Sequence, residues 1–145
     1  MLDTMAAAGA HRHGDRVALV SGDRRLTYRQ LDRASAGAAA MLVARGVRPG
    51  DRIGYLCENG VGTIQAILAV TALDAIVVPL NVRLTAPELR WICQDAGLSA
   101  LLPDGPFADR PLELVSALSL RAHWHGPDSP SSAPPITPAH APPPA

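Results

Sequence analysis

Lysine is absent. All 13 basic side chains among the 145 residues are arginines, set against 13 acids, so the formal net charge is zero. Without an ε-amino group the chain cannot present a Walker lysine, a Schiff-base lysine or an ammonium that neutralises a phosphate. Balanced charge also removes the electrostatic footprint of a nucleic-acid binder or of a protein held on an anionic membrane. Aromatic residues make up only 3% against 48% for the hydrophobic set as a whole, so any core must come from small aliphatic side chains. There are two cysteines, Cys57 and Cys93, with no CxxC or zinc spacing. Each lies in an apolar periodic segment and reads as a buried reduced thiol. No apolar run is long enough to span a bilayer. The N-terminal Met1-Leu2-Asp3 places an acid where a signal peptide carries positive charge. The expectation is a soluble, cytoplasmic protein with no membrane span and no nucleic-acid partner.

What is present divides into four stretches. Residues 1–13 read as an N-terminal helix or arm, 14–104 as the folded unit, 105–125 as weakly structured with one helical pattern around Pro111–Leu120, and 126–145 as a tail. Eight of the last twenty residues are proline, and such a segment cannot bury enough apolar surface to offset its ordering entropy. The tail is therefore expected to be disordered.

Inside the folded unit the punctuation is regular. Val17–Val20 is a short strand, Ser21-Gly22-Asp23 a turn, and Arg24–Thr27 the returning arm of a hairpin. Thr27 and Gln30 stand at capping-box spacing and open a helix with Leu31, Ala34, Ala38, Met41 and Leu42 on one face, stopped at Gly46. A turn at Val47–Asp51 leads to a strand over Arg52–Cys57. A helix from about Val61 to Leu73 follows, with Ile64, Ile67, Leu68 and Thr71 as the predicted buried stripe. Ala75–Val78 is a continuous apolar run, which suits a strand covered on both faces. Thr85 and Glu88 form a second capping pair, opening a helix with Leu89, Ile92 and Cys93 inward; Gly97 stops it, and Ser99–Leu102 is the last strand. The fold class is α/β: a β-hairpin followed by αβαβαβ with a parallel sheet and right-handed crossovers.

Candidate chemistry is thin. Gly60-Val61-Gly62 lies between a strand and a helix, the setting of a dinucleotide fingerprint, but the third glycine falls on Gln65 and no acid ends the next strand. Two His-x-His pairs, His11/His13 and His123/His125, fall short of the three or four ligands zinc requires. No serine sits in a nucleophile elbow, and no two carboxylates are placed as an acid–base pair. Pro127–Pro130 and Pro135–Pro138 match PxxP without an arginine to orient them. No catalytic, cofactor-binding or metal-binding residue is assigned.

Taken together, several blocks resemble one family. Gly14-Asp15-Arg16-Val17-Ala18-Leu19-Val20 with Leu26-Thr27-Tyr28-Arg29-Gln30-Leu31, then Gly46-Val47-Arg48-Pro49-Gly50-Asp51-Arg52-Ile53 through Asn59, then Ala75–Asn81 with Arg83-Leu84 and Glu88-Leu89, are similar in order and spacing to the N-terminal part of the AMP-forming acyl-CoA synthetases. Two positions depart from the family's pattern: Asp74 stands where Gly is usual, and Val82 where Pro is usual. A carboxylate beside a buried strand needs partners or exposure.

The resemblance implies a parent reaction in which a carboxylic acid and ATP give an acyl-adenylate and pyrophosphate, and coenzyme A then displaces AMP. ATP, Mg2+ and CoA are the implied cofactors and substrates of a full-length member, and none is expected to be held by this chain. The family's phosphate loop, later nucleotide motifs and catalytic lysine have no counterpart in these residues. The chain is thus expected to be a truncated N-terminal fragment, inactive alone, with the tail read as out-of-frame translation. Uncovered apolar surface would then favour self-association. The alternative is a non-catalytic binding or scaffold module derived from the same fold, and a third reading is a cofactor-binding α/β domain using the Gly60 loop.

Overall fold

The computed structural model describes residues 2–104, 107 and 122–123. Helix α1 (Leu2–His13) precedes a hairpin of β1 (Val17–Ser21) and β2 (Arg24–Thr27). Helix α2 (Tyr28–Ala44), strand β3 (Arg52–Leu56), helix α3 (Val61–Ala72), strand β4 (Ile76–Pro79), helix α4 (Ala86–Asp95) and strand β5 (Ala100–Pro103) follow, with a two-residue strand β6 (Ala122–His123). The hairpin forms its own antiparallel sheet. The other four strands form a parallel sheet in the order β4-β3-β5-β6.

That order explains the layering. The chain crosses from β3 to β4 in one direction and returns past β3 to β5 in the other. Right-handed crossovers in opposite directions put α3 and α4 on opposite faces. The two cores agree. Ala38, Ala39 and Leu42 of α2 and Ala66, Ala69 and Val70 of α3 pack with Ile53, Ala100 and Leu102 on one face. Leu89 and Cys93 of α4 pack with Leu56, Leu80 and Leu101 on the other. Consecutive strand residues alternate between the cores, as the pleat requires. Gly54, central on the α4 face, has no room for a side chain: a Cβ there would overlap the Cδ1 methyl of Leu98 and approach that of Leu101 to 3.0 Å.

The capping signals read from the sequence are realised. Thr27 N–H donates to Gln30 Oε1 at 2.9 Å, and Gln30 N–H donates to Thr27 Oγ1 at 3.2 Å. At α4 the Glu88 carboxylate accepts from both the N–H and the hydroxyl of Thr85, at 2.8 and 2.7 Å, and these bonds hold its pKa below the usual carboxylate value.

Helices α2, α3 and α4 share one ending. In each, the second residue past the cap donates back to the helix: Val47 N–H to Leu42 O, Ala75 N–H to Val70 O and Leu98 N–H to Cys93 O. The residue between adopts positive φ: Gly46 at 84°, Asp74 at 54° and Gly97 at 59°. This is the Schellman motif, with apolar pairs closing each turn. Asp74 is exposed, so the concern over a buried carboxylate does not arise. Its cost is in the backbone, where glycine would be unstrained. Val82 also falls on a turn: Leu84 N–H bonds Asn81 O at 3.2 Å, making Val82 the second residue, where proline is favoured.

Two expectations are corrected. The buried face of α3 is Val61, Thr63, Gln65, Ala66, Ala69 and Val70, while Ile64, Ile67, Leu68 and Thr71 are half-buried. Nearly every position of this helix is apolar, so periodicity could not choose a face, and the alanines are turned in because they allow close approach to α2 and the sheet. Met41 is 40% exposed instead of inward. Strand β4 does have a core on each face, Val77 packing against one and Val78 against the other, but it is a sheet edge and Ile76 is 47% exposed. The strand buried throughout is β5. Within the 105–125 stretch, Ala122–His123 adds the two-residue strand β6 to the sheet. The helical pattern at Pro111–Leu120 and the proline-rich tail lie outside the described residues.

Asp51 ties the starts of three strands together. Its Oδ2 accepts from Arg48 N–H at 2.8 Å, its Oδ1 from the Ser99 hydroxyl at 3.2 Å, and its carbonyl from Ile76 N–H at 2.8 Å. Asp51→Ala would strand both side-chain-directed donors and is expected to lower stability by about 1–3 kcal/mol, read from the urea midpoint, with Asp51→Asn losing less. Asp74→Gly is expected to raise the same midpoint, by about 0.5 kcal/mol, and Asp74→Ala to lower it. A stabilising Asp74→Ala would show that the positive φ carries no strain.

Candidate functional site

In an open parallel sheet wound on both faces, ligands sit beyond the carboxyl ends of the strands, where the strand order reverses. Here that place lies between β3 and β5. The β3–β5 ladder runs on to this end of the sheet. Asp104 N–H donates to Leu56 O at 3.1 Å, and the Cys57 thiol donates to Leu102 O at 3.6 Å. Thr63 Oγ1 donates to Glu58 O at 2.6 Å, which ties the first turn of α3 to the loop after β3. Beside this seam runs a cleft of about 290 Å3 lined by Leu19, Val20 and Ser21 of the hairpin and by Asn59, Gly60, Thr63 and Ile64.

Gly60 and Gly62 do occupy a strand-to-helix turn. Gly60 is the N-cap of α3, with φ 178°, and makes no side-chain cap. That is extended backbone, not the left-handed turn that gathers N–H groups into an anion nest. Among the described residues the positive-φ positions are Gly22, Gly46, Gly50, Asp74 and Gly97, at the hairpin, the helix C-termini and the turn before β3. Gln65, where a third fingerprint glycine would stand, is 4% exposed. Its bulk sits in the space a fingerprint glycine leaves for close helix–strand packing.

Among the described residues, no group of three or more His, Cys, Asp or Glu could hold a metal ion. His11 and His13 are exposed on the last turn of α1, where His13 makes a tilted ring contact with Tyr28 at 6.5 Å. His123 belongs to β6, and His125 and the two PxxP stretches lie outside the described residues. The described residues therefore do not fit a triphosphate or its magnesium.

Two titratable groups do meet at the seam, Cys57 and Asp104, and the second was not singled out from the sequence. The legible signal is the turn-forming Pro-Asp-Gly sequence at 103–105, just after the strand read at Ser99–Leu102. Burial and then the neighbouring Asp104 charge push the Cys57 thiol from an ordinary 9.0 up to about 12, against a smaller opposing effect of its backbone contact. A thiol held protonated is not a nucleophile at neutral pH. The thiol of Cys93, on the buried face of α4, is also raised by burial.

The pH consequence follows by linkage. Below pH 9 the thiol is protonated in both states. Above it the unfolded chain ionises first, so stability drains as pH rises from about 9 towards 12. Wild type is expected to lose more stability than Cys57→Ala between pH 8 and 10.5, with native Cys57 alkylated far more slowly than the unfolded chain. Equal pH slopes for the two proteins would contradict this.

Comparison with known proteins places this architecture. The sequence model for AMP-binding enzymes matches residues 6–137. The chain is 37% identical over 117 residues to a feruloyl-CoA synthase from an Amycolatopsis species, covering 81% of this chain and 24% of that protein. It superposes with TM-score 0.82 and 26% identity on a protein assigned as a long-chain-fatty-acid CoA ligase from Rhodopseudomonas palustris, over 94% of this chain and 34% of that one. The inhibitor-bound N-terminal domain of FACL13 from Mycobacterium tuberculosis matches at TM-score 0.70 and 30% identity, over 80% of this chain and 29% of that one. The chain spans about a fifth to a quarter of the length of the curated relatives it matches. The hairpin, the Schellman-ended helices and the parallel sheet are thus the N-terminal portion of a shared scaffold, and the chain belongs to the AMP-binding enzyme family.

Proposed function

We propose that these 145 residues supply scaffold, and no catalytic group, to an AMP-forming acid–thiol ligase. The parent reaction joins a carboxylic acid to coenzyme A, with ATP converted to AMP and pyrophosphate. The observation that carries the reading is at the switch point between β3 and β5. There Asp104 N–H bonds Leu56 O, the Cys57 thiol bonds Leu102 O, and the thiol is held protonated. The sequence adds that no lysine is available to neutralise charge developing on a transferring phosphoryl group. The folded unit of the proposal is 14–104. Two free cysteines suit a reducing compartment, so the cytoplasm is part of the same proposal. No described helix is long and apolar enough to cross a membrane.

The test is ATP–pyrophosphate exchange by the purified chain over a panel of fatty and aromatic acids. Exchange is expected to stay at background throughout. One acid that drives exchange in proportion to protein concentration would overturn the reading.

A further inference from the structure

The chain has two asparagines, Asn59 and Asn81, and the fold treats them differently. Asn81 is followed by the β-branched Val82, and its Oδ1 accepts from Arg83 N–H at 2.9 Å. Asn59 is followed by glycine and is exposed in the loop between β3 and α3. Among the described residues, neither its side-chain amide nor Gly60 N–H has a hydrogen-bond partner. Gly60 stands just before the first turn of α3, in extended backbone at φ 178°. A Cβ built on it would approach Ser21 Oγ no closer than 4.0 Å. The Gly60 nitrogen and the amide carbon beside it are thus left unblocked by the described residues.

We propose that Asn59 is a site of self-modification in the folded chain, where Gly60 N attacks Asn59 Cγ and the side-chain amide is lost. The Gly60 N–Cγ bond forms as the Cγ–Nδ2 bond breaks. The Gly60 amide proton passes to solvent base, and Nδ2 leaves as ammonia. Water then opens the cyclic imide at either carbonyl. One opening leaves Asp at position 59 with the main chain unchanged. The other leaves isoaspartate, with the side-chain methylene now in the main chain. The net change is amide and water to carboxylate and ammonia, with nothing oxidised or reduced. Because Gly60 N must lose its proton, the reaction speeds up as pH rises.

The change alters the character of a surface. Asn59 and Gly60 line the hairpin–α3 cleft together with Leu19, Val20 and Ile64, and no acid or base lies in that lining. Conversion puts a carboxylate there, one residue before the N-cap of α3, where negative charge is favourable. In the isoaspartyl form the added methylene falls inside the loop that Thr63 Oγ1 closes on Glu58 O at 2.6 Å. The proposal is independent of the scaffold reading, and its readout is mass, not turnover.

The folded full chain is held at mildly alkaline pH beside the same chain in urea, and both are followed by intact mass and peptide mapping. Asn59 is expected to give aspartyl and isoaspartyl products, each about 1 Da heavier. Conversion in the folded chain is expected to be no more than about tenfold slower than in urea, since a fold slows such chemistry only where it protects the segment. Gly60→Ala is expected to slow conversion by about tenfold or more, because a Cβ crowds the attacking nitrogen. Circular dichroism checks that variant, and Asn59→Gln, changed only at an exposed side chain, replaces it if it fails to fold. Three results overturn the proposal: a folded chain that converts more slowly than that limit, Asn81 converting ahead of Asn59, or a variant that fails to slow conversion to the stated extent.

Discussion

Parallel strands cannot be paired by a tight hairpin, so their register depends on what holds them where they begin. Asp51 does this here. Its carboxylate and carbonyl bind Arg48, Ser99 and Ile76, at the turn before β3 and at the starts of β5 and β4. Gly50 N–H to Asp74 O at 2.9 Å and Ser99 N–H to Arg52 O at 2.8 Å complete the tie. With these starts fixed, Ile53 and Gly54 face opposite cores, and α3 and α4 must cover opposite faces.

The helix ends supply the complementary constraint. Each crossover helix must stop and turn into a strand within a few residues, and each uses the same backbone reversal. Two of the three place glycine at the left-handed position; the third places Asp74. A carboxylate on an exposed αL residue costs backbone strain without desolvation. The chain tolerates the departure from the family's pattern there because nothing packs against that side chain.

The opposite end of the sheet is organised differently. Beyond β3 and β5 the chain spends its hydrogen-bonding groups on itself, and the one thiol near the surface is kept neutral by burial and a neighbouring carboxylate. Beside it lies the hairpin–α3 cleft, uncharged and lined by Leu19, Val20 and Ile64 with Ser21, Asn59 and Thr63. A surface of that character buries well against more protein and poorly against a phosphate.

Much of this was decided locally. Hairpin, capping boxes, helix stops and the alternation of strand with helix were legible because each depends on residues three or four apart: Thr27 with Gln30, Thr85 with Glu88, Gly46 after Leu42. The candidate site was less legible, since Asp104 meets Cys57 only across two strands. Which face of α3 is buried, that β4 is an edge while β5 is enclosed, and that a strand at Ala122–His123 joins the sheet were set by tertiary structure alone. An all-apolar helix and an apolar tetrapeptide carry no record of their neighbours; only the strand order and the helices laid across it decide which side loses its water.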